Sequence, residues 1–139
     1  MDCEIRTFRP DDYDAVRSLW EVAEGVGLST ADSREGVTSF LARNPDLSLV
    51  AVAGTDVIAA LLVGHDGRRG YLHHLSVSPA VRRNGLGRTL VREGLNRLAR
   101  VGIQKCHLFI FGDNAEGEQF WRAIGAQERI DLKVYSLPT

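Results

Sequence analysis

LSVSPAVRRNGLGRTLV, residues Leu75 to Val91, begins with the alternation of a strand, breaks at Pro79 and ends with the period of a helix. At the break, Gly85 and Gly87 stand one residue apart among Arg82, Arg83 and Arg88. The first N–H groups of a helix have no partners inside it, and the helix dipole adds partial positive charge there. A helix that starts directly after such a turn therefore suits an anion, above all a phosphate. The two glycines carry no Cβ to hold the anion off the backbone, and the three arginines bring full charges. The same letters also describe an ordinary strand–glycine–helix turn, so the surroundings must decide. Two familiar cradles do not fit. No Lys-Ser/Thr follows the last glycine, and Leu90 stands where a G-x-G-x-x-G series needs its third glycine. The acidic residue expected about 20 positions further on is missing as well. Nucleoside triphosphates and dinucleotides are thereby disfavoured.

Upstream of the turn, YLHHLSV alternates as a strand. Strict alternation puts Tyr71, His73, Leu75 and Val77 on one face and Leu72, His74 and Ser76 on the other. Before it, SLVAVAGTDVIAALLVG reads as a hairpin around Gly54-Thr55-Asp56. CEIRTF near the start reads as a strand, and Pro10 with Asp11 or Asp12 opens a helix whose apolar face is Ala15, Val16, Leu19 and Trp20. A glycine-bearing loop follows, and Asp32 or Ser33 caps a second helix that runs to Ala42. Downstream, Leu86 to Val101 carries Leu90, Val91, Gly94, Leu95 and Leu98 on one stripe, with Arg88, Arg92, Arg97 and Arg100 facing away. Then come a strand in KCHLFIF, a short helix over Ala115 to Ile124 and a last strand in IDLKVYS. The order is βααβββαβαβ. A helical crossover makes its two flanking strands parallel, and the hairpins make the others antiparallel. The expected fold is α/β, a mixed and mostly antiparallel sheet with helices on both faces.

The 139 residues are read as one domain, long enough to bury about two-thirds of the unfolded surface. The longest apolar run, Val57 to Val63, is far short of the ~20 residues that span a bilayer. The N-terminus is charged from Asp2 onward and has no signal-peptide core, so the cytoplasm is expected and a membrane is not. Cys3 and Cys106 form no CxxC pair and read as buried free thiols. The net charge of −1 disfavours nucleic acid, yet Arg82 to Lys105 holds seven basic residues against the single acid Glu93. A local basic patch on a nearly neutral chain suits one anionic ligand.

With its neighbours included, the turn resembles the acyl-coenzyme-A motif of the GCN5-related N-acetyltransferase (GNAT) superfamily, a strand with V-x-P followed by Q/R-x-x-G-x-G/A at a helix start. Arg82 takes the first place of that series and Gly85 and Gly87 its glycines. NAEGEQFWRAIGA resembles the second family motif, with Asn114, Phe120, Trp121 and Gly125 in its marked places. The element order fits too, and the chain looks most similar to small stand-alone bacterial acetyltransferases. The resemblance implies that Arg82, Arg83, Asn84, Gly85, Leu86, Gly87 and Arg88 hold the pyrophosphate of acetyl-coenzyme A. The two parallel strands splay, and the pantetheine arm pairs with backbone near Leu75 and Val77 while Asn114 hydrogen-bonds it. Phe120 and Trp121 belong to the same donor site. A strand N–H then polarises the thioester carbonyl.

Acetyl transfer to an amine needs a group that removes the amine's proton. The family often places it on the strand before the turn, where this chain has His73 and Tyr71. His73, with an ordinary pKa near 6.5, suits the task. The family's usual general acid is a Tyr where this chain has Trp121, whose indole has no titratable proton. Tyr71, Tyr135, His107 and water are the alternatives. The four histidines show no ligand spacing, so no metal is expected. The acceptor, a small-molecule amine or a protein amino group, is expected against the first two helices. There Glu21 and Glu24, with Asp32, offer an acidic mouth. The implied activity is acetyl-coenzyme-A-dependent N-acetyl transfer without a covalent intermediate. A coenzyme-A-binding module without turnover is the alternative, and a homodimer is the expected assembly.

Overall fold

The computed structural model describes residues 2–139. They form two compact units, residues 2–109 and Ile110–Thr139. The first unit is a five-stranded sheet in the order β1-β2-β3-β4-β5. Its strands are β1 (Glu4–Thr7), β2 (Leu49–Ala53), β3 (Asp56–His65), β4 (Gly70–Val77) and β5 (Cys106–Leu108). The first three pairings are antiparallel, and β4 runs parallel to β5. Helices α1 (Tyr13–Val22) and α2 (Arg34–Arg43) lie between β1 and β2 in the chain, and α3 (Leu86–Arg100) makes the crossover from β4 to β5.

β3 explains why both faces of the sheet are covered. From Ile58 to Gly64 every residue is buried, the continuous apolar pattern of a strand with helices on both sides. Ala60 and Leu62 join Phe8, Val16, Trp20, Val37 and Leu41 in a core beneath α1 and α2. Leu61 and Val63 face α3, where a Cβ added to Gly94 would lie 3.3 and 3.2 Å from their side chains. Gly94 thus lets α3 lie close on the sheet. The α3 stripe follows the helical period through Leu90, Val91, Gly94 and Leu98, but Leu95 is exposed. Arg97 does not face away. Its guanidinium is half-buried and donates to Glu93, to the Thr7 hydroxyl and to the Asp46 carbonyl. On α1 the buried residues are Tyr13, Val16 and Trp20, and Ala15 is exposed.

Ser33 caps α2, its hydroxyl accepting from the Gly36 N–H at 3.1 Å. Replacing it with alanine orphans that donor and should lower stability by about 1 kcal/mol, readable as a small fall in Tm. Asp12 accepts two hydrogen bonds from the Arg6 guanidinium, at 2.8 and 2.9 Å, and one from the Arg9 N–H. The Arg6 bond holds its carboxyl below the ordinary carboxylate range.

The second unit contains α4 (Ala115–Ala123), capped by Asn114, whose Oδ1 accepts from the Gly117 N–H at 2.9 Å. IDLKVYS is not a strand. Ile130, Leu132, Val134 and Tyr135 are exposed, and among the described residues no strand pairs with them. A β-type sequence becomes a strand only when a neighbour takes its backbone hydrogen bonds. β5 is likewise shorter than KCHLFIF, ending at Leu108.

Candidate active site

After β4 the chain makes one 3-10 turn, Pro79–Val81, and reaches α3 through Arg82 to Gly85. The Arg82 Nε donates to the Val77 carbonyl at 3.3 Å, folding the turn back on the strand end. Arg83 and Gly85 both have positive φ, 68° and 76°. Such an angle costs a glycine nothing and strains an arginine. The first helical bond of α3 runs from the Thr89 N–H to the Gly85 carbonyl at 3.0 Å. The N–H groups of Leu86, Gly87 and Arg88 therefore lack acceptors within the helix. Arg82, Arg83, Asn84, Gly85 and Arg88 are exposed, whereas Leu86 and Gly87 are buried. Together they form an exposed cationic turn at a helix N-terminus.

The strand that leads into the turn is irregular. β4 pairs with β5 from Gly70↔Cys106 to Leu72↔Leu108, and among the described residues no strand pairs with His73–Val77 on that side. On the other side the register against β3 jumps, with Ala60 opposite Ser76 but Leu62 opposite His73. One extra residue thus sits in β4, a β-bulge, and His74 takes a left-handed conformation with φ 54°. The bulge reverses the faces expected from strict alternation. Tyr71 and His73 lie over the α1/α2 side, with Gly64 and Leu62 as their partners, but Val77 pairs with Ala59 on the α3 side. Ser76, opposite Ala60, returns to the α1/α2 side.

His73 lies edge-on to Phe40 of α2 at 6.1 Å and stacks on Tyr71 at 6.2 Å. Tyr71 also meets the rings of His107 and Phe109. Burial, and secondarily the neighbouring His74, push the His73 pKa below its ordinary value. His74 does not turn to the opposite face. Its ring lies 5.1 Å from Trp20 of α1, and its Nε2 is 2.9 Å from Asp32 Oδ1. Asp32 is buried and is therefore not part of an acidic mouth. Its Oδ2 accepts from the Ser29 N–H, and its carbonyl accepts from the Tyr13 hydroxyl at 2.6 Å and from Arg17. The spacing S-T-A-D signals the turn that Asp32 closes, but nothing in the sequence signals its reach to β4. Trp20 Nε1 and Ser76 Oγ, both buried on this side, have no hydrogen-bond partner among the described residues.

Glu21 and Glu24 are exposed, and Glu21 pairs with Arg17 at 3.6 Å. A cavity of about 470 Å³ is lined by Tyr13, Arg17, Ser29, Ser33 and Arg34 among others, and neither glutamate lines it. Asn114, Phe120 and Trp121 belong to the second unit, where Phe120 and Trp121 meet edge to face at 5.0 Å. Cys106 is half-buried, which pushes its thiol pKa up. Among the described residues no group of three side chains is placed to hold a metal ion, and no helix is long and apolar enough to cross a membrane.

The sequence profile of the acetyltransferase (GNAT) family matches residues 13–126. The chain belongs to that family. The resemblance carried by LSVSPAVRRNGLG is thereby borne out, and this enzyme is an acetyl-coenzyme-A-dependent N-acetyltransferase. An acetyltransferase of Pectobacterium atrosepticum is 34% identical over 111 residues, 80% of this chain and 78% of that protein. An acetyltransferase of Yersinia pestis is 29% identical over 130 residues, 94% of this chain and 87% of its own. Among solved structures, Ard1 of Thermoplasma volcanium superposes with a TM-score of 0.79 at 17% identity, over 90% of this chain and 82% of its own. PaiA N-acetyltransferase of Thermoplasma acidophilum, solved with coenzyme A, gives 0.74 at 22% identity over 90% and 89%. These likenesses establish the mixed sheet with its single parallel pair as the family fold.

Proposed function

We propose that the enzyme seats acetyl-coenzyme A along the free edge of β4 and in the turn after it. The acetyl group then passes directly to a small-molecule amine or a protein amino group. The observation that carries this reading is the continuity of two unsatisfied backbone surfaces. The open edge of His73–Val77 leads into the free N–H groups of Leu86, Gly87 and Arg88. An extended arm can pair with the first as an added strand does, Leu75 and Val77 being its nearest partners. A pyrophosphate suits the second, with Arg82, Arg83 and Arg88 complementing its charge. A β4 N–H aimed at the thioester carbonyl stabilises the oxyanion that forms there. That PaiA holds coenzyme A on a similar fold supports the same donor here.

The acceptor arrives as an ammonium and must lose a proton before it attacks. His73 is the base we assign. Burial and His74 keep its pKa low, so at pH 7 it is neutral with a lone pair to offer. A covalent acetyl-enzyme is not needed, and Cys106, its thiol pKa raised, is a poor nucleophile at that pH. His73→Ala should lower kcat by about 10²-fold while leaving the affinity for acetyl-coenzyme A unchanged. A variant that turns over like the wild type removes His73 as base.

Thiol release from acetyl-coenzyme A, screened over amines, polyamines, amino acids and peptides, tests the reading as a whole. Release with any acceptor supports it and names the acceptor. Binding without release across the panel favours a coenzyme-A-binding module, the reading that Trp121 favours because its indole cannot give up a proton. No rise in Tm with acetyl-coenzyme A sinks both.

A further inference from the structure

Buried polar contacts and backbone strain coincide at residues 74–76 of β4, and the pairing of a donor with the strand edge does not by itself require them. His74 holds a left-handed conformation that a β-branched or bulky residue rarely takes and that even histidine adopts at a cost. Its side chain reaches a carboxylate 42 positions away in the chain. That carboxylate is buried and doubly engaged, by His74 through Oδ1 and by the Ser29 N–H through Oδ2. Ser76 Oγ and Trp20 Nε1, both deeply buried, have no partner among the described residues around the same kink. Strain and unsatisfied polar groups persist only where the surrounding structure imposes them, and here the imposing contact is Asp32 on His74.

We propose that Asp32 and His74 are positioning residues for acetyl transfer, a clamp from the turn before α2 that holds the β4 bulge in register. The clamp fixes three things together. It keeps His73 on the α1/α2 side, turns Val77 to the α3 side, and leaves the edge between them free of β5. It acts through backbone direction and takes no proton from the acceptor. Around the His74 ring the titratable and charged groups are Asp32 from its turn, His73 beside it on β4, and Arg17 of α1, which meets the Asp32 carbonyl. This inference rests on the transfer reading above.

The test compares substitutions that differ in backbone tolerance. Asparagine accepts the left-handed region and can donate its amide N–H to Asp32, whereas valine can do neither. His74→Asn should keep kcat within about threefold of wild type. His74→Val and Asp32→Ala should lose about tenfold or more, since a misplacement of about 1 Å can cost about 10²-fold. KM for acetyl-coenzyme A should stay within about twofold in His74→Asn and rise in His74→Val and Asp32→Ala, because the donor's extended arm pairs with the same edge of β4. Amide hydrogen exchange, which needs no activity, should quicken at residues 73–77 in His74→Val and Asp32→Ala and stay slow in α3. His74→Asn as inactive as His74→Val would show that the imidazole does chemistry and would overturn the proposal. Wild-type exchange at 73–77 in Asp32→Ala would overturn it too, whatever becomes of the acetyl acceptor.

Discussion

Gly85→Glu should leave the enzyme folded and unable to hold acetyl-coenzyme A. Gly85 has φ 76°, and a Cβ built there meets nothing within 4 Å, so the substitution strains the backbone without a clash. The strain is about 1–2 kcal/mol. A carboxylate at the start of a helix offsets part of it by about 0.3–1 kcal/mol through the dipole, so the fold survives. The same carboxylate would stand beside the free N–H groups of Leu86, Gly87 and Arg88, the proposed seat of the pyrophosphate, and would repel that anion. At acetyl-coenzyme A concentrations near 100 times the wild-type Kd, wild-type stability rises by about 2.7 kcal/mol, and the variant's Tm should not move. Gly85→Ala separates the two causes, keeping the strain without the charge. A Gly85→Glu enzyme that binds the donor as wild type does would remove the turn from the donor site.

Leu61→Ala should be a costly truncation in the core. Leu61 is fully buried at the centre of β3, on the face where Gly94 lets α3 approach. The loss of its side chain leaves a cavity that α3 cannot fill without sliding, so the expected cost is about 2–5 kcal/mol. For a domain whose whole stability is about 5–15 kcal/mol, that is a large share. Thermal unfolding should show a fall in Tm of roughly 10 °C. A change of only a degree or two would mean that α3 collapses onto the sheet and that Gly94 is not the limit to its approach.

What the sequence disclosed and what it withheld differ by a physical rule. The period-3.6 stripe of α3, the apolar run of Val57 to Val63 and the glycine turn after Pro79 are local patterns, each written in adjacent letters. The bulge is not. An extra residue in a strand leaves no trace in YLHHLSV, whose alternation reads equally well with or without it. So the grouping of Tyr71, His73, Leu75 and Val77 on one face fails at Val77, and His74 comes out beside Trp20. Asp32 was legible as a candidate cap of α2, a place Ser33 takes, but its partner His74 lies 42 residues away, and such a distance is set by the packing of α1 on the sheet. IDLKVYS has the composition of a strand and lacks the neighbour that would make it one.

The extra residue in β4 also makes this strand a place where counting matters more than chemistry. Upstream of His74, odd-numbered side chains point toward α1 and α2; by Ser76 the even-numbered ones do. Removal of a single residue there would restore ordinary pleating and, at one stroke, exchange the surroundings of Ser76 and Val77 while leaving the composition of the strand almost intact. Insertions and deletions in this segment are therefore far more disruptive than substitutions. A relative aligned with a gap at this point has its histidines compared with the wrong positions.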